Sequence, residues 1–168
     1  MDIDFDAPLD YLPRIKNYYI GLGYGKPYEW AKLDDVPLTN LQKPLSAARI
    51  GIVTTASLFN PANGEQGPGA PYNGKAKFFT CYAEPIAPFP DVRVAHIAID
   101  RAHTTASDMA SYVPRAALLR LAGTGYIGPV SPNFYGLPTN RSQRVTTQTD
   151  CPKLLSLCQA DAVDAVVM

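Results

Sequence analysis

Cysteine is scarce in this chain: Cys81, Cys151 and Cys158 are three thiols in 168 residues, odd in number and irregularly spaced. That rules against a disulfide framework or a four-thiolate zinc site, and free thiols are expected. Histidine is scarcer, with only His96 and His103. Net charge is zero, from 15 basic and 15 acidic residues, and no Lys/Arg run stands out, so neither a nucleic-acid nor an anionic-membrane partner is expected. No apolar run approaches the roughly 20 residues that span a bilayer, and the acidic opening Met1-Asp-Ile-Asp-Phe-Asp6 is unlike the basic start of a signal peptide. A cytoplasmic location is therefore expected. No internal repeat is visible.

Proline, by contrast, is plentiful. Sixteen in 168 residues is about twice average usage and predicts long shaped loops. The chain has the length of one domain, enough to bury about two-thirds of its unfolded surface. Residues 9–22 carry Leu9, Leu12, Ile15, Tyr19 and Leu22 at near-helical spacing, which predicts an amphipathic helix starting near Pro13 and capped at Gly23. An aromatic and Pro-bearing arm, 26–45, leads into the first apolar strand, 49–56. From 59 to 90 turn signals are too dense for much regular structure. The aromatics Tyr72, Phe78, Phe79, Tyr82 and Phe89 suit a packed lid there.

A second strand is predicted over 92–99, followed by a turn with capping-box-like spacing between Thr105 and Asp108. Pro114 suits the start of a helix running through Leu118 and Leu121 to Gly123 or Gly125. A short strand 126–130, a loop 131–140 and a polar stretch 141–150 follow. Pro152 then opens or kinks a helix ending near Ala160, and 163–168 form the last strand. This alternation predicts an α/β fold, a mostly parallel sheet flanked by helices in three layers, with the Pro/Gly-rich loop as a lid. The whole of 1–168 reads as one α/β domain, with 1–48 a helical arm and 49–168 a βαβ core. The near-continuous apolar run Val163, Ala165, Val166, Val167, Met168 suits a strand buried on both faces, which needs neighbours. The sheet is therefore expected to be completed by another chain, by a second copy, or by a longer gene product of which this is the N-terminal part.

In such a sheet, ligands bind beyond the carboxyl ends of the strands. The stretch 95–104 puts His96, Asp100 and His103 around one predicted strand end, and these are the candidate catalytic residues. Their order, His-x-x-x-Asp-x-x-His, also uses metal-ligating residue types, but it matches no established metal signature. Thr54 and Thr55 end the first strand, where hydroxyls face a ligand or simply favour a strand. The polar cluster 140–144 offers Arg141 or Arg144 as a bidentate clamp for a carboxylate, with Gln143 orienting it, or alternatively a solvated helix start. Cys151, beside Asp150 and Pro152, is a weaker candidate nucleophile at a predicted helix start.

Several irregular segments together carry a resemblance. They are Lys43-Pro-Leu45 with Val53-Thr-Thr-Ala56, Asp100-Arg-Ala-His-Thr-Thr105, Ser111-Tyr112 with Pro114, Ile127-Gly128, Phe134-Tyr-Gly-Leu-Pro138 with Ser142-Gln-Arg144, Asp150-Cys-Pro152, and the ending Val163-Asp-Ala-Val-Val-Met168. Over most of its length the chain resembles the selenoprotein B family of glycine, sarcosine, betaine and D-proline reductases. The resemblance implies an oxidoreductase of amino-acid metabolism that cleaves a C–N bond reductively. In that chemistry a selenolate or thiolate attacks the carbon alpha to a carboxylate, and a separate pyruvoyl-bearing subunit often holds the amine. In the family the last strand leads into a selenocysteine or cysteine motif followed by Cys-His-Gln. None of Cys81, Cys151 and Cys158 occupies that position. The implied division of labour leaves His96, Asp100 and His103 with acid/base work. Thr54, Thr55, Arg141, Gln143 and Arg144 are left with a small carboxylate-bearing substrate. No cofactor is expected in this chain, the pyruvoyl group and the selenol or thiol belonging to a partner or another segment. Two other readings stand beside it: a non-catalytic small-molecule-binding subunit, and a metal-dependent enzyme using His96, Asp100 and His103.

Overall fold

The computed structural model describes residues 11–27, 29, 31–32, 34–35, 39–65, 73–94, 105–139 and 142–168. They fall into two units, residues 1–38 and residues 39–168. In the first, helix α1 spans Tyr11–Gly21. Pro13 stands in its first turn, where a missing N–H leaves no intrahelical bond unmade. Its carboxyl end is closed by Gly23, whose φ of +80° is open to glycine and strained for other residues.

The second unit is built on a four-stranded sheet in the order β3-β5-β1-β6. Strand β1 is Ile50–Thr54, β3 Tyr82–Pro85, β5 Asn133–Gly136 and β6 Ala165–Val167. β1 lies parallel to both β5 and β6, while β3 is antiparallel to β5, so the sheet is mixed and the fold is of the α/β kind. All five residues of β1 are buried, as its unbroken apolar run requires of a strand covered on both sides. Their alternation sorts two apolar clusters. Ile50 and Ile52 pack with Phe134, Val113, Ile127 and Leu118, the last on helix α2, Arg115–Gly123. Val53 packs with Tyr135, Leu137 and Cys158.

Beyond β1 the chain does not loop freely. It enters β2, Ser57–Leu58, which pairs antiparallel with β4, Val92–Arg93, in a separate two-stranded ladder. The described part of the expected strand 92–99 is therefore not a parallel neighbour of β1. The expected strand 126–130 is also corrected: of these residues Val130 alone pairs with the sheet, through an isolated parallel bridge to Ile50. Gly128 lies against the backbone of Ala47 and Ala48, and Tyr126 is solvent-exposed, so neither contributes a pleated face. The strand belongs instead to Asn133–Gly136, expected to be loop, whose Phe134 and Tyr135 are wholly buried. Within the expected lid, residues 66–72 lie outside the described residues. Around them stand two 3₁₀ turns, Pro61–Asn63 and Gly74–Ala76, each capped by an asparagine, and strand β3.

The last helix takes the second of the two expected forms, with Pro152 inside it. It begins at Ser142, whose Oγ accepts from Val145 N at 3.2 Å, and runs through α3, Gln143–Val145, a π turn, Thr146–Asp150, and α4, Cys151–Ala160. Pro152 thus sits inside a helix rather than opening it. The π turn immediately before it supplies the local unwinding that a missing N–H demands.

At the amino ends of the strands a polar clasp ties α4 to the sheet. Tyr135, 0 % exposed, donates its hydroxyl to Asp161 Oδ2 at 2.7 Å. That spends its single proton, so Ser131 Oγ is the donor in their 2.9 Å contact. Asn133 Nδ2 donates to the same Asp161 oxygen, and Arg49 Nη1 to the Asp161 carbonyl at 2.7 Å. Burial, and then the Asp161 carboxylate, raise the Tyr135 phenol above its ordinary value, which keeps it a donor. Tyr135→Phe leaves Ser131 buried without its acceptor. We expect a loss of about 1–3 kcal/mol in urea unfolding, with the far-UV circular dichroism spectrum unchanged.

Candidate functional site

Parallel pairing fixes which chain segments share the carboxyl edge. Val53 is level with Tyr135, Thr54 with Gly136, and Ile52 with Val167. The ends of β1, β5 and β6 therefore open on one side of the sheet, and the last helix starts there after β5. The Leu137 N–H closes the gap between β5 and β1 by donating to Thr54 O at 2.9 Å. Cys81 Sγ reaches Asp150 O at 3.4 Å, which holds the π turn beside the start of β3. Gln143 lies seven residues before Asp150, roughly 10 Å further along the helix.

The two threonines part company at this edge. Thr54 is buried, and its hydroxyl is spent on backbone: it donates to Tyr112 O at 3.0 Å and accepts from Ala56 N at 3.1 Å. It shapes the turn out of β1 and has little left for a ligand. Thr55, next in sequence, is exposed. Gln143 and Arg144 are exposed in the first turn of the capped helix, with the Arg144 carbonyl accepting from Thr147 Oγ1 at 3.2 Å. Thr55, Gln143 and Arg144 thus belong to segments that end or begin at the same edge. His96, Asp100, His103 and Arg141 lie outside the described residues. The chain leaves the described part just after β4 and re-enters it at Thr105.

Three tyrosines that shape these edges were not among the site residues expected from the sequence. Tyr82 donates its hydroxyl to Ala56 O at 2.7 Å and lays its ring over Gly136, where an added Cβ would stand 1.9 Å from a ring carbon. Burial, and then the Glu84 carboxylate, push its phenol well above the ordinary value. Tyr112 donates to Val92 O at 3.3 Å, and burial raises its phenol as well. With Thr54, these rings weld the end of β1 to the β2–β4 ladder. The third is Tyr135 at the opposite edge. A clue to Tyr82 was the Gly136 that receives its ring.

Cys151 is exposed within a continuous helix, not at a helix start, so a helix N-terminus does not activate it. Among the described residues no group of three or more His, Cys, Asp or Glu side chains is placed to hold a metal ion. Among them, too, no helix is long and apolar enough to cross a membrane. Comparison with protein-family models, curated proteins and solved structures finds no match.

Proposed function

We propose that this chain is the substrate-positioning part of an oxidoreductase resembling glycine, betaine and D-proline reductases, acting on a small carboxylate-bearing amino acid or derivative. The observation that carries the reading is the register of the parallel strands. β6 runs beside β1 with Val167 level with Ile52, so a group just beyond β6 would face Thr54 and Thr55. That is where the resembling family keeps its selenolate or thiolate. On this reading the nucleophile and any pyruvoyl group come from a partner polypeptide or another segment, and a partner or second copy completes the sheet. Thr55, Gln143, Arg144 and Arg141 hold the carboxylate, and His96, Asp100 and His103 serve the departing amine. The architecture is three-layered, with the Pro/Gly-rich segment 59–90 as lid, and the setting is cytoplasmic.

The reaction needs a soft nucleophile at the alpha carbon within attacking distance, and an acid for the amine. The chain alone is therefore expected to release no ammonia or amine from glycine, sarcosine, betaine or D-proline with a dithiol donor. Together with a polypeptide bearing the cysteine or selenocysteine motif it is expected to turn over. In that assembly His103→Ala or Arg141→Ala lowers kcat/KM at least about tenfold. Robust turnover by the chain alone, surviving Cys151→Ala, would overturn the reading. A non-catalytic binding subunit is the second reading, favoured by the commitment of the Thr54 hydroxyl to backbone partners.

A further inference from the structure

Three asparagines stand in and around the two 3₁₀ turns ahead of β3, and the structure spends their carboxamides unequally. Asn60 precedes Pro61, which has no N–H to act as a nucleophile, and its Oδ1 accepts from Ala62 N at 3.0 Å. The other two each precede a glycine. Asn73, before Gly74, is held at both ends of its carboxamide: Oδ1 accepts from Lys75 N at 3.0 Å, and Nδ2 donates to Asn63 O at 2.8 Å and to Glu65 O at 3.4 Å. Asn63, before Gly64, gives that network its backbone carbonyl. Among the described residues the Asn63 carboxamide itself has no hydrogen-bond partner. Gly64 is exposed to water and carries no Cβ that would crowd an approach of its nitrogen to the Asn63 side chain. Its N–H donates to Pro61 O at 3.1 Å, which closes one short turn of a kind that bonds weakly.

We propose that Asn63 is a self-modifying site, converting to an isoaspartyl or aspartyl residue with water as its co-reactant, while the fold keeps the same dipeptide at Asn73 intact. The Gly64 nitrogen attacks Asn63 Cγ and forms a new C–N bond. The bond from Cγ to the side-chain nitrogen breaks, and that nitrogen leaves as ammonia with the proton that Gly64 gave up. A cyclic imide joins the two residues. Water then adds to one imide carbonyl: ring opening at Cγ leaves aspartate, and opening at the backbone carbonyl sends the main chain through the side chain. No electrons change hands. Either product adds a negative charge ahead of β3, and the isoaspartyl form turns the carbonyl that receives Asn73 Nδ2 into a carboxylate outside the main chain. The site does not depend on the function proposed above.

Each hydrogen bond that must open before attack lowers the reactive population by about two- to twelvefold. The full chain is aged in mildly alkaline buffer, either folded or in guanidinium chloride, and converted residues are located by peptide mapping with isoaspartyl peptides resolved chromatographically. In the folded chain Asn63 is expected to convert at least about fivefold faster than Asn73, the margin of one to two such bonds. In guanidinium chloride, where the turns are gone, the two rates are expected to agree within about twofold. Asn63→Ala keeps the backbone carbonyl that Asn73 uses, so it removes the fast conversion and leaves Asn73 slow. Equal rates in the folded chain, or a faster Asn73, would overturn the proposal. So would a margin that persists in guanidinium chloride, which would trace it to flanking sequence instead of the fold. A folded chain that converts at neither position while the unfolded chain converts at both would overturn it as well.

Discussion

Replacing Gly128 by Ala is expected to cost at least about 4 kcal/mol, enough to leave little folded protein at 37 °C. A Cβ there would stand 2.3 Å from Ala48 O and 2.7 Å from Ala47 C. Both atoms are backbone, so no rotamer change relieves the clash. The surrounding hydrogen bonds forbid a shift of either strand of chain. Gly128 N donates to Leu45 O at 2.9 Å, Ile50 N to Pro129 O at 3.0 Å, and Ser131 N to Ile50 O at 2.8 Å. Moving the 128–131 segment outward breaks the attachment of the start of β1. Urea unfolding followed by circular dichroism reads the effect, and a loss under 1 kcal/mol would show that the approach relaxes.

Phe134→Ala is the second large effect, expected at about 3–5 kcal/mol. Phe134 is 0 % exposed on a strand paired on both sides. Its ring centroid lies 4.8 Å from that of Phe89, and 5.9 Å from that of Tyr82 in an edge-on arrangement. Truncation opens a void that two rings cannot fill without leaving their own positions. Tyr82 is held by its hydroxyl on Ala56 O, and Phe89 has the Arg115 guanidinium 5.3 Å over its face. Phe134→Leu keeps most of the volume and should cost less than half as much. Phe79→Ala, at a position 57 % exposed, should change stability by no more than about 0.5 kcal/mol. Equal losses at 134 and 79 would contradict the assignment of the core.

These sites also mark where the sequence could be read and where it could not. β1 was legible because five consecutive small or apolar residues between polar flanks have few other uses. α2 was legible from Pro114 at its start and the glycines at its end; Gly125 does adopt a φ of +73°. β5 was hidden because Phe134 and Tyr135 stand between Pro132 and the Gly136-Leu-Pro138 turn formers, leaving no alternation to detect. Its burial comes from partners distant in sequence. β6 was foreseen as a strand in need of a further neighbour; among the described strands it ends the sheet, where Val166 and Val167 are 44 % and 39 % exposed rather than buried on both faces. The strand-end rule named Thr54 and Thr55 together, yet it could not separate Thr54, turned inward to Tyr112, from Thr55, exposed to solvent. One torsional step along a strand exchanges those roles. The helix start at Ser142 was legible only as the alternative to a carboxylate clamp at 140–144, because Pro152 could open a helix as well as kink one.

The position of β1 between β5 and β6 also has a temporal meaning. The clasp from Arg49 to Asp164 closes over 115 residues of chain, and neither parallel neighbour of β1 precedes it in sequence. During synthesis β1 emerges before β5 and β6 and waits, apolar on both faces, until they arrive. Such nonlocal pairing folds slowly, and the interval exposes an apolar β-branched segment to other chains. Yield in a cell is therefore expected to depend on what shelters 50–54 on the ribosome as well as on the contacts of the finished sheet.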